Sequence, residues 1–388
     1  MSPRKVCVVF ADDVGRELWD AAPIPLLKNL EAKGRRYLNG WEGPVCSNFR
    51  ALFHCARPSH DPKNLVGGNF PAGDPNFSLP TDTGQLIGQV SPGSRAYHGK
   101  YHVCNELRYL HPLEAGFQLF TGSMTNLSNY FLWEKVVNGV PTTSSKYAGY
   151  DVRDDAVLSL QAGFDLVVAS FHLPHNPYHE PPAELHSQSA PWDNYKYAIA
   201  MMEALDKLAS SVIEMALSLG YIVVFVADNG TAPQIGGKKG TLWELGINCP
   251  LFWIGSGVPA GTASEVLVSA TDFHSTIMEL RGAAPLQLDS VSYAQDVLGQ
   301  PFTGRAYLKC SKWLATGEPP QYPTWDRAVR SKRWKLISLG AINGPIEKLF
   351  DLQNDRGEQT DLLLPENLPL SAQAQVAYNR LKSELPTI

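Results

Sequence analysis

Three things are scarce in this 388-residue sequence: long apolar runs, long stretches of one charge, and closely spaced cysteines. The longest early apolar run, Val6 to Ala11, stops at Asp12-Asp13, too soon for a signal peptide or a membrane span. The expectation is therefore a cytoplasmic protein with no membrane partner. The formal net charge is -5 with no long basic run, which argues against nucleic acid as a partner and means that any bound anion must be met locally. Six cysteines, at 7, 46, 55, 104, 249 and 310, lie far apart, which excludes a disulfide framework and leaves single thiols free for chemistry. No internal repeat and no low-complexity tract is present. With 44% hydrophobic residues the chain can bury a large core and suits about two domains.

What is present is a series of buried-type strands that end in polar residues. Lys5 to Ala11 is a continuous β-favouring run ending at Asp12-Asp13-Val14-Gly15. Gly163 to Ser170 runs into a loop, Phe171 to His179, that carries three histidines. Tyr221 to Ala227 ends at Asp228-Asn229-Gly230, and Pro250 to Ile254 reads as a further strand. Helices are expected over 21–34, over the apolar stripe from Ala198 to Leu219, and over 271–282. Residues 57–93, rich in Pro, Gly, Asn, Asp and Ser, read as an irregular excursion that walls a pocket. The pattern is α/β with a mostly parallel sheet. Beyond about residue 300 it changes to a hairpin-type pair of short strands, 327–337 and 348–352, and a closing helix over 371–384.

Ligands of open α/β sheets bind at the carboxyl ends of the strands. Asp12, Asp13, Asp228 and Asn229 all stand there, although adjacent acids could equally cap a helix. Three carboxylates within about 4 Å would repel by roughly 4 kcal/mol per pair at an effective dielectric near 20, which a divalent cation relieves. An all-oxygen set suits a hard ion, calcium or magnesium, better than zinc or copper. The turn Gly43-Pro-Val-Cys-Ser-Asn-Phe-Arg50 delivers Cys46 and, one helical turn later, Arg50. A helix starting near Cys46 would set a thiolate and an anion against free backbone N–H groups, while the plainer alternative is a buried cysteine and a surface arginine. In Tyr97 to His102, Gly99 argues against a helix bearing a His98/His102 zinc pair, and an extended segment would point Lys100 and His102 the same way. His54, His98 and Cys55 read as ordinary packing.

Taken in order, these segments resemble the sulfatase family of the alkaline phosphatase superfamily, from about Val6 to Leu362. The resemblance rests on Asp12 to Gly15, Cys46 to Arg50, Gly99 to His102, His175-Asn-Pro177, Ala227 to Gly230, Lys239-Gly-Thr-Leu-Trp-Glu244, Ala328-Val-Arg330, Trp334-Lys335 and Leu349 to Leu352. It implies an alkaline-phosphatase-like central sheet flanked by helices over residues 1–300 and a small C-terminal α+β subdomain over 301–388. It implies a metal-dependent hydrolase of sulfate monoesters with calcium, or magnesium or manganese, on Asp12, Asp13, Asp228 and Asn229. Cys46 would be oxidised to formylglycine by a maturase partner and its hydrate would attack sulfur. Arg50 and Lys100 would hold the hydrate and the sulfuryl charge, His102 would take the proton that collapses the intermediate, His175 would protonate the leaving alcohol, and Lys239 would bind the sulfate. Asn229 favours the sulfatase branch, since phosphonate-cleaving relatives tend to carry histidine there. The chain departs from the family signature at Asn48, where proline or alanine is usual, and at Phe49, where serine is usual. An unmodified Cys46 would suit a phosphodiesterase or phosphonate monoester hydrolase of the same superfamily, and a retired anion-binding homologue is a third reading.

Overall fold

The computed structural model describes residues 3–70, 77–286, 288–314, 325–340 and 344–387. Its strands are β1 Val6–Ala11, β2 Arg35–Trp41, β3 Arg95–Lys100, β4 Leu119–Ser123, β5 Trp133–Val137, β6 Val140–Ser144, β7 Leu166–Ser170, β8 Ile222–Ala227, β9 Leu251–Ile254 and β10 Thr262–Ser269, followed by β11 Leu308–Lys312, β12 Asp326–Arg330, β13 Trp334–Leu339 and β14 Ile346–Asp351. The first ten form one mixed, mostly parallel sheet in the order β10-β2-β9-β8-β1-β7-β3-β4-β5-β6, and the last four form an antiparallel sheet. The α/β architecture with a C-terminal sheet is thus the one expected from sequence.

The continuous apolar runs become the middle of the large sheet because they are covered on both faces. Every residue of β1, β7 and β8 is buried. One face packs on the helix Asn194–Ser218, whose Met201, Leu205, Leu208 and Val212 step along its buried stripe, and the other packs on the helices Cys46–Cys55 and Asp272–Leu280. β1 pairs in parallel with both β7 and β8, so these three strands finish at one edge. That edge carries the site.

Several expectations are corrected. The helix anticipated over 21–34 is shorter, Pro25–Lys33, with Pro25 opening it, and a separate short helix, Arg16–Ala21, precedes it and ends before Pro23. β2 follows at once; Arg35-Arg-Tyr-Leu-Asn-Gly-Trp41 has neither an apolar run nor a regular alternation to mark it as a strand, and it is only partly buried. The helix Ala148–Gln161 and the β5–β6 hairpin were likewise not anticipated. Residues 57–93 are irregular except for a short helix, Ile87–Val90, with 71–76 outside the described residues. Residues 327–337 are two strands of the four-stranded sheet, since Ser331-Lys332-Arg333 makes a turn. The closing helix is Ala372–Glu384. Among the described residues, no helix is long and apolar enough to cross a membrane.

Candidate active site

β1 and β8 are in register through Ala11 and Ala227, which places the next residues, Asp12 and Asp228, side by side. Asp13 adopts a left-handed backbone, φ 66°. Successive strand residues point to opposite faces, and this reversal at Asp13 lets two adjacent carboxylates enter one pocket. The Asp13 N–H donates to Asp228 Oδ1 at 3.2 Å, and Asn229 Nδ2 donates to Asp13 Oδ1 at 2.7 Å. All four side chains are buried.

The helix Cys46–Cys55 begins at Cys46, and its Phe49 and Phe53 meet Phe10 of β1 edge to face with ring centroids 5.3 and 5.0 Å apart. This packing seats the helix N-terminus on the β1 edge. Cys46 Sγ lies 3.2 Å from Asp12 Oδ1, 3.8 Å from Asp13 Oδ1 and 3.2 Å from Lys239 Nζ. Arg50 is wholly buried, and its guanidinium donates to Asp228 Oδ2 at 3.2 Å, Ser170 Oγ at 2.6 Å and the Lys100 carbonyl at 2.7 Å. It joins the ends of β3, β7 and β8. Asn48 is turned away from the pocket: its Nδ2 donates to Ser59 Oγ and to the Val66 carbonyl, both at 2.7 Å, binding the 57–70 loop to the helix.

Lys100 closes β3, and its Nζ is 2.5 Å from Asp12 Oδ2. The extended stretch stops there. His102 has φ 53°, so Lys100 and His102 are not related by strand alternation as expected; burial beside Lys100 and Arg50 keeps its imidazole neutral, well below the usual range. His175 contacts the Asn176 carbonyl through Nδ1 at 2.6 Å and turns Nε2 to within 3.9 Å of Asp13 Oδ2. Lys239 Nζ reaches Asp13 Oδ1 at 2.5 Å. The structure therefore brings Asp12, Asp13, Cys46, Arg50, Lys100, His175, Asp228, Asn229 and Lys239 into one network of direct contacts, with His102 beside it. His54 and His98 stand apart, His54 among the rings of Tyr97, Tyr101 and Phe117 and His98 between Thr121 and Ser159.

Four participants escaped the sequence reading. Ser170 ends β7 and receives Arg50, a place that the strand-end rule could have flagged. His172 bonds Ser123 Oγ at 2.6 Å through Nε2. Tyr130 donates to the carbonyls of His172 and His175 at 2.7 and 2.6 Å and so holds the histidine loop; nothing local in the sequence marks it. Tyr178 turns a buried hydroxyl without a hydrogen-bond partner toward Asp13 and Lys239.

Three carboxylates, Asp12, Asp13 and Asp228, face three cations, Arg50, Lys100 and Lys239. Burial pushes the Asp12 carboxyl up, but Lys100, His175, Arg50 and Lys239 outweigh it and hold the group well below the usual range. Burial, with Asp12 beside it, lifts Asp228 to about 7 despite Arg50. Burial, Asp12 and Asp228 push the Cys46 thiol well above its ordinary value, which makes the unmodified side chain a neutral thiol in this setting.

The donors fit a cation. Ligand atoms of Asp12, Asp13, Cys46 and His175 all lie within 4.8 Å of one another, and Asn229 Oδ1 is buried with no hydrogen-bond partner. A buried carbonyl oxygen left unpaired is costly unless something coordinates it.

The sulfatase family model matches residues 4–283, well over half of the chain, and the chain belongs to the sulfatase family, sulfuric ester hydrolases of the alkaline phosphatase superfamily. It is 24% identical over 372 residues to N-acetylgalactosamine-6-sulfatase of Canis lupus familiaris, covering 78% of this chain and 67% of that relative. Among solved structures it shares its fold with Ps i-CgsB, also solved in complex with k-i-k-neocarrahexaose, at a TM-score of 0.80 and 19% identity, over 99% of this chain and 93% of that one. The protein solved with its substrate D-glucosamine-2-N,6-O-disulfate gives a TM-score of 0.72 at 14% identity, over 99% and 97% of the two chains. At these identities the structural likeness speaks to fold alone.

Proposed function

We propose that this chain hydrolyses sulfate monoesters of carbohydrates, with residue 46 carrying the nucleophile and Asp12, Asp13, Asp228 and Asn229 holding a divalent cation, calcium before magnesium or manganese. The observation that carries the reading is the position of Cys46 Sγ, 3.2 Å from both Asp12 Oδ1 and Lys239 Nζ at the edge where Asp228 and Asn229 also converge. A bound cation would polarise the sulfuryl group and lower the pKa of the nucleophile, and formylglycine at residue 46 would supply the attacking hydroxyl.

The chain's own groups supply the rest. Lys100 and Lys239 place fixed positive charge on two sides of residue 46, where it offsets negative charge gathering on the sulfuryl oxygens in a site with little water to screen it. His175 presents Nε2 to the pocket; because Nδ1–H donates to the Asn176 carbonyl, it would protonate the departing alcohol from Nε2 only as an imidazolium, a form that burial disfavours. His102 is neutral and so in the form that can accept a proton, but the burial and the Lys100 and Arg50 charges that keep it neutral also make it a weak base. Arg50 fixes Asp228 and the strand ends rather than reaching outward. The carbohydrate class is supported by the two ligand complexes of similar fold, k-i-k-neocarrahexaose and D-glucosamine-2-N,6-O-disulfate.

Turnover of an aryl sulfate and of sulfated mono- and oligosaccharides, with and without chelator, tests this reading. The expectation is turnover that chelation abolishes and calcium restores, lost in Cys46→Ala and Asp228→Ala. Intact-mass measurement of the residue-46 peptide, from protein made with and without a formylglycine-generating enzyme, reads the modification directly as a loss of about 18 Da. Faster turnover of a matched phosphate diester or phosphonate would replace this conclusion with phosphoryl chemistry.

A further inference from the structure

Lys239 sits on an irregular segment between Gly236 and the short helix Glu244–Ile247, so something must fix its ammonium against Asp13 and Cys46. Local bonds do part of this. The Lys239 N–H donates to the Thr231 carbonyl at 2.9 Å, the Gly240 N–H to the Pro44 carbonyl at 2.7 Å, and the Gly230 N–H to the Gly246 carbonyl at 2.9 Å. The segment is thereby tied to the cysteine turn at one end and to the residue after Asn229 at the other.

Further contacts come from the C-terminal sheet, through one residue from each of β11, β12 and β13 and one from the turn after β14. Lys312 of β11 donates to the Gly240 carbonyl. Arg330 of β12 donates to Glu244 Oε2 at 2.7 Å. Lys335 of β13 is wholly buried, donates to Glu244 Oε1 at 3.0 Å, pairs with Glu358 Oε1 at 2.6 Å, and lies 4.9 Å from the centre of the Trp41 ring. Glu358 accepts the Glu244 N–H through Oε2 at 2.5 Å. Trp41 and Asn248 complete the set, each donating to Glu244 at 2.9 Å. Burial pushes the Glu244 carboxyl up, but Lys335 and Arg330 outweigh it and bring the group to about 2, so Glu244 is an anion throughout the neutral range.

A buried network of this kind is poor evidence for stability, because desolvation offsets most of the attraction, and it is better suited to fixing one geometry. We propose that the C-terminal sheet is a clamp for the catalytic site, in which Lys335, Arg330 and Glu358 act through Glu244 as positioning residues that hold Lys239 at the nucleophile. The proposal rests on the reading of Lys239 as an anion-binding group of a sulfatase. It assigns a role to three stretches left without one by the site itself: Glu244, Arg330 and Lys335 become a single device spanning the two sheets.

The test is a double-mutant cycle on the full chain with Lys335→Met, Lys239→Ala and the double variant, read by aryl sulfate kcat/KM and by calorimetric affinity for inorganic sulfate. A clamp acting through Lys239 makes Lys335→Met lower both readouts, with kcat/KM falling by about 10- to 100-fold, the scale expected when a group is misplaced by about 1 Å. The same substitution then adds little in the Lys239→Ala background. Lys335→Arg should recover part of the loss. Leu381→Ala, which loosens the closing helix on the far face of the C-terminal sheet, controls for general destabilisation and should lower Tm while leaving kcat/KM unchanged. Losses that multiply in the double variant, or sulfate affinity unchanged in Lys335→Met, would overturn the clamp. If wild-type protein neither binds sulfate nor cleaves sulfate esters, the functional reading falls instead, and hydrogen exchange still decides the clamp. Faster exchange over 236–246 in Lys335→Met and Glu358→Gln supports it, and unchanged exchange overturns it.

Discussion

Lys100 Nζ lies 2.5 Å from Asp12 Oδ2, and neither side chain reaches solvent. Removing one partner of such a pair leaves the other charge buried and uncompensated, typically at about 3–5 kcal/mol. Lys100→Met should therefore lower unfolding free energy in urea by about that amount as well as abolish turnover. A stability change within ~0.5 kcal/mol of wild type, the range usual for surface substitutions, would contradict the buried pairing.

Acid should unfold this protein through its interior histidines. Burial lowers His54 to about 3 and His98, His111 and His274 to about 4. Each binds its proton less readily folded than unfolded, so its contribution is complete above the unfolded value near 6.5 and is lost as pH falls toward the folded value. Urea midpoints should drop from pH 6.5 to 4. Glu42 has the opposite sign: burial lifts it to about 8, so its contribution is complete below about 4.5 and is lost as pH rises through 8. Glu42→Gln should remove the decline between about pH 6.5 and 8, where these histidines no longer titrate, and steepen the histidine-driven fall between about 6.5 and 4.5, where the two trends oppose each other.

Asn48 binds the 57–70 loop through two donated hydrogen bonds. Asn48→Ala leaves the Val66 carbonyl without that donor inside the fold, and the expected loss is about 1–3 kcal/mol. Thermal unfolding measures it, and early proteolysis within 57–70 would show where the loosening occurs.

Tyr178→Phe removes only a hydroxyl with no hydrogen-bond partner in the protein. Tm should hold steady or rise slightly. A hydroxyl that meets the sulfate ester would instead show its loss as a higher KM, and equal KM in the two proteins would restrict Tyr178 to packing.

Much of the site was legible because its acids follow uninterrupted apolar strands. β1 and β8 cannot be mistaken for anything half exposed, and the end of such a strand is where α/β proteins keep polar chemistry. Cys46 and Arg50 were legible as one helical turn. The left-handed turns at Asp13 and His102 were not, since neither residue type demands that backbone; tertiary contacts impose it. The inward-turned role of Arg50 was also hidden, because its partners Ser170 and the Lys100 carbonyl come from strands far away in sequence. β2 was missed because Arg35-Arg-Tyr-Leu-Asn-Gly-Trp41 lacks the apolar continuity of its neighbours, and its pairing with β10 supplies what the sequence does not.

The central place of β1 in the large sheet has a consequence for how this molecule comes apart. The amides of Val8, Val9 and Phe10 lie between β7 and β8 under two layers of helices, where exchange with solvent requires the whole sheet to open. Asp12 extends that protected strand by one residue, its own N–H bonded to the Leu173 carbonyl at 3.0 Å. Surface loops can fray and recover many times while the acids at the strand ends keep their places, so loss of this acidic cluster and loss of the fold should be one cooperative event.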